Sequence, residues 1–412
     1  QEVKALERVE KMRNTWEYHS TEKIVFGNGS IRELDAILQR LDAKNVLLIT
    51  DQGIKQAGIL EQVQHILDSD GYRVVVYDQA VPEPPINKAL ECYEFAKEQF
   101  EIEAIIGLGG GSSIDLAKVV ALLVAHGGHP RDYFGEYRVP GPIAPLIAIP
   151  TTAGTGSEVT SIAVLTDTEQ NLKIGISDNY LRPSVALLDP ELTLNLPPYV
   201  TACSGIDALS HAIEAYTAKD SKYIKAQGKL LFQGSNPISD ALALEAIHLI
   251  ADHLVPAVQQ GSNLEARSKM LLGSLLAGQA FSNAGTAAAH ALAYPIGGLV
   301  KSPHGEVTGL LLPYVMEYNA GVAQSKMAKI AEAFQVDTTK VSASEAASLA
   351  VQSVLNLLKD IGLPTKLSEI GIKKEHLPEI AEKALNIERM IRNNPRVPTK
   401  EGFLSMLEKA LN

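Results

Sequence analysis

The chain has 412 residues, 46% of them hydrophobic, with 37 basic against 48 acidic side chains and a net charge of −11. That length suits two domains and a core without covalent staples, and the acidic balance excludes a basic nucleic-acid face and any pull toward anionic membranes. Two cysteines, Cys92 and Cys203, exclude a disulfide framework or a zinc site of three or four thiolates; with a charged Gln1–Tyr18 stretch and no run of ~18 apolar residues, a cytoplasmic protein in a reducing compartment is expected.

A helical pattern over 30–40 precedes the short apolar run Asn45–Thr50, which reads as a buried strand. A helical segment over 53–69 leads to a second strand, Tyr72–Tyr77, and an amphipathic stretch, Ile86–Gln99, to a third, Ala104–Leu108. A helix over 112–125 and a fourth strand, Leu146–Pro150, complete the alternation. Strands alternating with helices predict a parallel sheet and an α/β fold. Beyond Leu194–Pro198 the β-branched runs become rare, and long helical patterns follow at about 202–218, 237–259, 265–281 and 342–361. The expected division is an α/β nucleotide-binding domain over 1–196 and an all-α domain over 197–412. The polar stretch Lys219–Gln233 reads as an exposed loop or small surface insertion between two helices.

The third strand runs into Gly107-Leu-Gly109-Gly110-Gly111-Ser112 and then a helix. Glycines there let a backbone approach a pyrophosphate and offer it N–H groups at a helix N-terminus. Ser112 is the expected N-cap, with Asp115 at N3. The loop matches neither the strict dinucleotide fingerprint nor a P-loop. Asp51, at the end of an upstream strand, reads equally as a partner for an adenosine ribose that repels a 2′-phosphate and as a helix N-cap before Gly53. Thr151-Thr152-Ala153-Gly154-Thr155-Gly156-Ser157-Glu158 offers hydroxyls and glycines at a strand end, suited to phosphate or nicotinamide contacts or to a plain turn with an N-cap.

Asp207 and His211 stand at i and i+4, on one face of a helix. Alone, such a pair is a surface hydrogen bond. With His290, in an apolar helical context, and His304, between Pro303 and Gly305, it becomes a set of three imidazoles and one carboxylate. Such a set suits Fe²⁺ or Zn²⁺ with open positions for a substrate oxygen, and a metal held this way assists hydride transfer to a nicotinamide as a Lewis acid. The other seven histidines show no comparable grouping.

These residues resemble the iron-containing (group III) alcohol dehydrogenases over nearly the whole chain. The matching stretches are Phe26–Ser30 (FGNGS), Gly109–Lys118 (GGGSSIDLAK), Pro150–Glu158 (PTTAGTGSE), Leu188-Asp-Pro190, Asp207–Glu214 (DALSHAIE), Asn236–Asp240, His290 with Pro303-His304-Gly305, and Asn394-Pro-Arg396. The resemblance implies a dehydroquinate synthase-like fold with NAD, rather than NADP, and the metal in the cleft between the domains. It implies Asp207, His211, His290 and His304 as ligands, Fe²⁺ ahead of Zn²⁺, and Gly110, Gly111, Ser112 and Asp115 lining the pyrophosphate site, with Thr151, Thr152 and Lys173 nearby. Asp51 then favours NAD. The implied activity is dehydrogenation of small primary alcohols or reduction of aldehydes, with the substrate oxygen held at the metal, in a homo-oligomer, a dimer.

Two features depart from simple members. Tyr294 stands where many carry a histidine proposed to relay protons, and a phenol relays protons differently. Lys219–Gln233 precedes Gly234-Ser-Asn-Pro-Ile-Ser-Asp240. Both resemble the hydroxyacid–oxoacid transhydrogenase branch, which retains its NAD. That alternative needs a cation for a substrate carboxylate, with Lys225, Lys229 or Lys301 as candidates. A dehydroquinate synthase-like lyase shares the fold but uses another ligand set, and the Asp207/His211 pair argues against it.

Overall fold

The computed structural model describes residues 12–170, 172–226 and 228–412; most of the Gln1–Tyr18 stretch, residues 1–11, lies outside them. In chain order the first half gives β1 (Lys23–Phe26), α1 (Leu34–Arg40), β2 (Asn45–Asp51), α2 (Gln52–Gln56), α3 (Ile59–Ser69), β3 (Arg73–Ala80), α4 (Ile86–Lys97), β4 (Ala104–Gly109) and α5 (Gly111–His126). It ends with β5 (Gly135–Glu136), β6 (Leu146–Pro150), β7 (Ile162–Asp167), β8 (Leu172–Ser177) and β9 (Val185–Leu188).

Six strands form a parallel sheet in the order β1-β9-β6-β4-β2-β3. The apolar runs of β2, β4 and β6 are buried because helices cover both faces, so no polar alternation is needed. One face packs on α4 and α5 through Leu47, Ile105 and Leu116, the other on α1 and α3 through Leu48, Ile106 and Leu67. A small second sheet joins β7 and β8 antiparallel, with β5 beside β8. It was not anticipated: β5 has only two residues, and β7 and β8 are partly exposed, so no continuous buried apolar run marks them.

The second half gives α6 (Pro198–Thr217), α7 (Pro237–Gln259), α8 (Leu264–Ala284), α9 (Ala288–Leu299), α10 (His304–Asn319), α11 (Gln324–Ala333), α12 (Ala343–Asp360), α13 (Leu377–Leu385), α14 (Glu388–Ile391) and α15 (Lys400–Leu411). Local chemistry sets several of these starts. The Asn236 side chain accepts from Ile238 and Ser239 N–H to open α7, and Ser342 with Glu345 forms a capping box before α12. By length and composition α7 is apolar enough to cross a membrane, which the count of uninterrupted apolar residues did not register. In this fold Ala243, Ile247, Ile250 and Leu254 of α7 pack with α6 and α8 in the largest apolar cluster.

The stretch Lys219–Gln233 is not the plain surface loop expected. Ile224, Leu230, Leu231, Phe232 and Gln233 are buried. The apolar residues of its second half outweigh its lysines, and Gly234 lets it turn against the Lys219 carbonyl. The N-terminal residues form a strap across it: Glu17 N–H donates to Gln233 Oε1, and His19 exchanges hydrogen bonds with the Asn283 side chain on α8.

Candidate active site

Helix α6 carries Asp207 and His211 one turn apart, both buried. His290 lies in the first turn of α9 and His304 begins α10. Donor atoms of Asp207, His290 and His304 lie within 4.8 Å of one another, the one such group among the described residues. Asp207 Oδ1 is 3.7 Å from His290 Nε2 and 3.9 Å from His304 Nε2, and its Oδ2 is 3.9 Å from His211 Nε2. These separations are too long for hydrogen bonds and suit donors arranged around a shared cation. The His211 ring stacks between Phe281, at 4.2 Å, and His290, at 4.7 Å.

The opposite ring nitrogens show which atoms are free. His290 Nδ1 donates to Glu214 Oε2 at 2.7 Å, leaving Nε2 buried without a partner. His211 Nδ1 donates to the Gly154 carbonyl at 3.3 Å, which leaves its Nε2 as an acceptor. A partner on one nitrogen fixes the tautomer and presents the other to a metal. The orphaned Nε2 and the mixed N/O donor set fit a divalent first-row ion. Electrostatics agree. Burial opposes a charge on Asp207, yet the imidazoles hold its carboxyl well below the usual range. Burial also opposes a charge on His290, but Asp207 and Glu214 raise its pKa to about 10. Burial and the neighbouring imidazoles lower His211 to about 4 and push His304 down as well. Positive charge is therefore favoured at His290, between its two carboxylates, and opposed at the other two rings. His304 is its accessible member, 37% exposed, and marks the side a substrate would reach.

Close backbone approach assembles this cluster. At Gly305 a Cβ would sit 2.1 Å from the Cys203 carbonyl and 3.0 Å from Asp207 Cβ, so only glycine lets α10 begin against α6. At Gly154 a Cβ would meet the Ser204 backbone at 2.8 Å. Part of the second small-residue loop therefore serves packing against α6.

Two supporting residues were not assigned from sequence. Glu214, buried, also accepts from Ala287 N–H at 2.8 Å and Ala289 N–H at 2.6 Å, fixing the chain entering α9. Thr308 Oγ donates to Asp207 Oδ1 at 2.8 Å. Glu214 had a readable signal: Asp207, His211 and Glu214 fall at i, i+4 and i+7, one helix face.

Two cavities meet at Gly111 and Ser112. One, of about 290 Å³, is lined by Asp207, His211, His290, His304, Tyr294, Lys173, Asp115 and Phe232 among others. The other, of about 590 Å³, is lined by Asp51, Gly110, Ser113, Thr151, Thr152 and Leu196 among others. Helix α5 begins at Gly111, with Gly110 as an N-cap that supplies no side chain. Ser112 is thus not the N-cap, and Asp115 does not close a capping box. Ser112 Oγ accepts from Glu83 N–H, while Asp115 accepts from Ser157 Oγ at 2.6 Å and Val164 N–H at 3.0 Å. Without a capping side chain, the first-turn N–H groups of this 16-residue helix stay open to a pyrophosphate. Asp51 does cap a helix, accepting from Ile54 N–H, and it also accepts from Ser113 Oγ while facing the larger cavity. The two readings of Asp51 are therefore compatible. Lys173 is paired with Glu83, and the Tyr294 ring lies 6.0 Å from that of His304. Lys225, Lys229 and Lys301 are absent from the cavity lining; Arg389 is present.

Comparison with known proteins agrees with this geometry. Residues 21–190 match the family "Iron-containing alcohol dehydrogenase", and residues 201–411 match "Fe-containing alcohol dehydrogenase family, C-terminal". The chain is 40% identical over 400 residues to long-chain-alcohol dehydrogenase 1 of Geobacillus thermodenitrificans, covering 95% of this chain and 97% of the relative. It is 35% identical over 387 residues to the NAD-dependent methanol dehydrogenase of Bacillus methanolicus, covering 94% and 97%. The crystal structure of a 1,3-propanediol oxidoreductase superposes with a TM-score of 0.91 at 35% identity, covering 97% of this chain and all of that one. With its parallel-sheet half, its helical half and its Asp/His cluster, the chain is an oxidoreductase with the dehydroquinate synthase-like fold and belongs to the iron-containing alcohol dehydrogenase family.

Proposed function

We propose that the protein interconverts small primary alcohols and aldehydes, with NAD(H) as hydride carrier and Fe²⁺ held by Asp207, His211, His290 and His304. The observation that carries this is one cavity lined by both the four donors and the open N-terminus of α5. A bound divalent ion would supply Lewis acidity to the substrate oxygen, and the nicotinamide would exchange the hydride.

The chain's own residues do the rest. Gly110, Gly111 and Ser112 offer backbone N–H groups to the pyrophosphate, with Thr151 and Thr152 facing the adenosine side. Asp51 presents a carboxylate where a ribose hydroxyl would bind, and repels a 2′-phosphate. Phe232, Phe281 and Met390 line the substrate cavity and exclude water. The Tyr294 hydroxyl is the candidate to pass a proton between the substrate oxygen and solvent.

The test is chelation followed by add-back. Apoprotein should oxidise 1-propanol or 1,3-propanediol with NAD only after Fe²⁺ or Zn²⁺ is restored, and His211→Ala should recover neither metal nor turnover. A His211→Ala protein with full metal content and turnover would overturn the assignment. The transhydrogenase alternative predicts hydride exchange between two substrates without added NAD, and the same preparation decides it.

A further inference from the structure

Lys118 lies on α5 with no exposed surface. Its Nζ donates to Thr160 Oγ at 3.0 Å and to the Ile162 carbonyl at 2.9 Å. Asp115 Oδ1, one turn back on the same helix, is 3.9 Å away, beyond hydrogen-bonding distance. Taking an ammonium out of water is costly, and methionine would fill much the same space without that cost. The charge therefore calls for a use.

Its partners point to one. Within its sheet β7 is an edge strand, paired only with β8. On the free edge Ile162 presents a carbonyl, and Val164 and Thr166 present N–H groups. Lys118 donates to the first, Asp115 accepts from the second, and the Pro84 carbonyl accepts from the third. Two side chains of α5 thus stand where a further strand would. Asp115 also accepts from Ser157 Oγ at 2.6 Å. Asp115, Ser157, Thr160, Ile162 and Val164 all line the cavity shared by the metal donors and the start of α5, whereas Lys118 does not. The carboxylate faces the cavity, and the ammonium sits one layer behind it.

Completing a strand edge needs only neutral donors and acceptors. A pair of opposite charges also sets the potential in the cavity. A nicotinamide ring is positive in NAD⁺ and neutral in NADH. Asp115 alone would favour the oxidised form, and Lys118 alone the reduced one. Burial lowers the Lys118 ammonium to about 8 while Asp115 opposes the change, and burial raises Asp115 while Lys118 opposes it. Each charge keeps the other ionised. Glu158 and Arg182 bear on Lys118 from beyond ion-pairing distance, with opposite signs.

We propose that Lys118 is a positioning residue for the hydride carrier: it holds the β7 wall through Thr160 and Ile162, and its charge offsets that of Asp115, so that the cavity does not favour the oxidised cofactor over the reduced one. This rests on the reading of the cavity as the seat of NAD(H). No bond is made or broken at Lys118, which acts through the wall and the carboxylate in front of it.

The experiment titrates the metal-loaded protein with NAD⁺ and with NADH near neutral pH, and compares the ratio of the two Kd values, NADH over NAD⁺. Lys118→Gln keeps an N–H donor for the β7 edge and loses the charge. The hydrogen bonds from Ser157 and Val164 still favour a carboxylate at Asp115, so the ratio should rise by roughly fivefold or more. Asp115→Asn keeps an acceptor and leaves the ammonium unopposed, so the ratio should fall by roughly fivefold or more. The double variant should return to within about twofold of wild type. A purely structural role would weaken both cofactors together and could not move the ratio in opposite directions. Melting temperatures are measured alongside; if Lys118→Gln does not fold, the fall in Asp115→Asn decides alone. A ratio close to wild type in the folded single variants, or a shift of the same sign in both, would overturn the inference while leaving the cofactor reading intact. If the wild type binds neither cofactor, the NAD(H) reading fails and this inference falls with it.

Discussion

Replacing Glu214 by Gln tests whether a residue outside the donor set controls the metal. The carboxylate accepts from His290 Nδ1 and from the N–H groups of Ala287 and Ala289. Three donors therefore converge on two oxygens. Glutamine keeps the volume but keeps only one acceptor oxygen, and its NH₂ faces at least one donor. One or two hydrogen bonds are lost, each leaving a buried donor unsatisfied at about 1–3 kcal/mol. Losing the bond that holds His290 with Nδ1 protonated should weaken metal binding about 10–100-fold, or ~1.4–2.8 kcal/mol. The assay is competition for Fe²⁺ or Zn²⁺ against a chelator of known affinity, with the melting temperature of the metal-free protein measured alongside. Affinity within twofold of wild type, in a variant of unchanged melting temperature, would refute the claim that Glu214 sets the His290 tautomer.

Other consequences are as direct. Gly305→Ala places a methyl 2.1 Å from the Cys203 carbonyl; it should destabilise the protein by roughly 1–3 kcal/mol through overpacking and lower its metal content by displacing His304, both read from thermal melts and metal analysis. Asp51→Gly should raise the kcat/KM ratio of NADP over NAD, because it removes a like charge from the 2′-phosphate position at a capping cost of only about a few tenths of a kcal/mol. An unchanged ratio would take Asp51 out of the cofactor site. Tyr294→Phe should lower kcat and change its solvent isotope effect if the phenol carries the proton, and should leave both alone if another path serves.

The most readable parts of the sequence were those whose physics is local. The apolar runs of β2, β4 and β6 are covered on both faces and need no context to be seen, and the glycines after β4 mark the start of α5. The Asp207/His211 spacing is likewise a property of one helix. What stayed hidden depends on contacts between distant segments. The strands β1 and β9 have four residues each, and β7 and β8, six residues long, are only partly buried and carry polar residues, so their patterns do not stand out. Pro295 and Pro313 sit inside α9 and α10, where each removes a backbone N–H donor and weakens the local helical signal. The lysine-bearing 219–233 stretch looked solvent-exposed because its composition was weighed as a whole, whereas Ile224, Leu230, Leu231 and Phe232 decide what it touches.

The position of β9 in the sheet has a consequence for how the protein is made. β9 lies between β1 and β6, although β1 ends at Phe26 and β9 begins at Val185. The Asp189 carboxylate just after β9 accepts from Gly29 and Ile31 N–H, across about 160 residues of chain. Until synthesis passes Leu188, β6 has an unpaired, wholly apolar edge and β1 has nothing to join. Sequence separation of this size slows closure, and an open parallel edge of that character is a template for pairing with another nascent copy. Conditions that slow translation between Pro150 and Val185 should therefore increase aggregation during expression, even where the finished protein is stable.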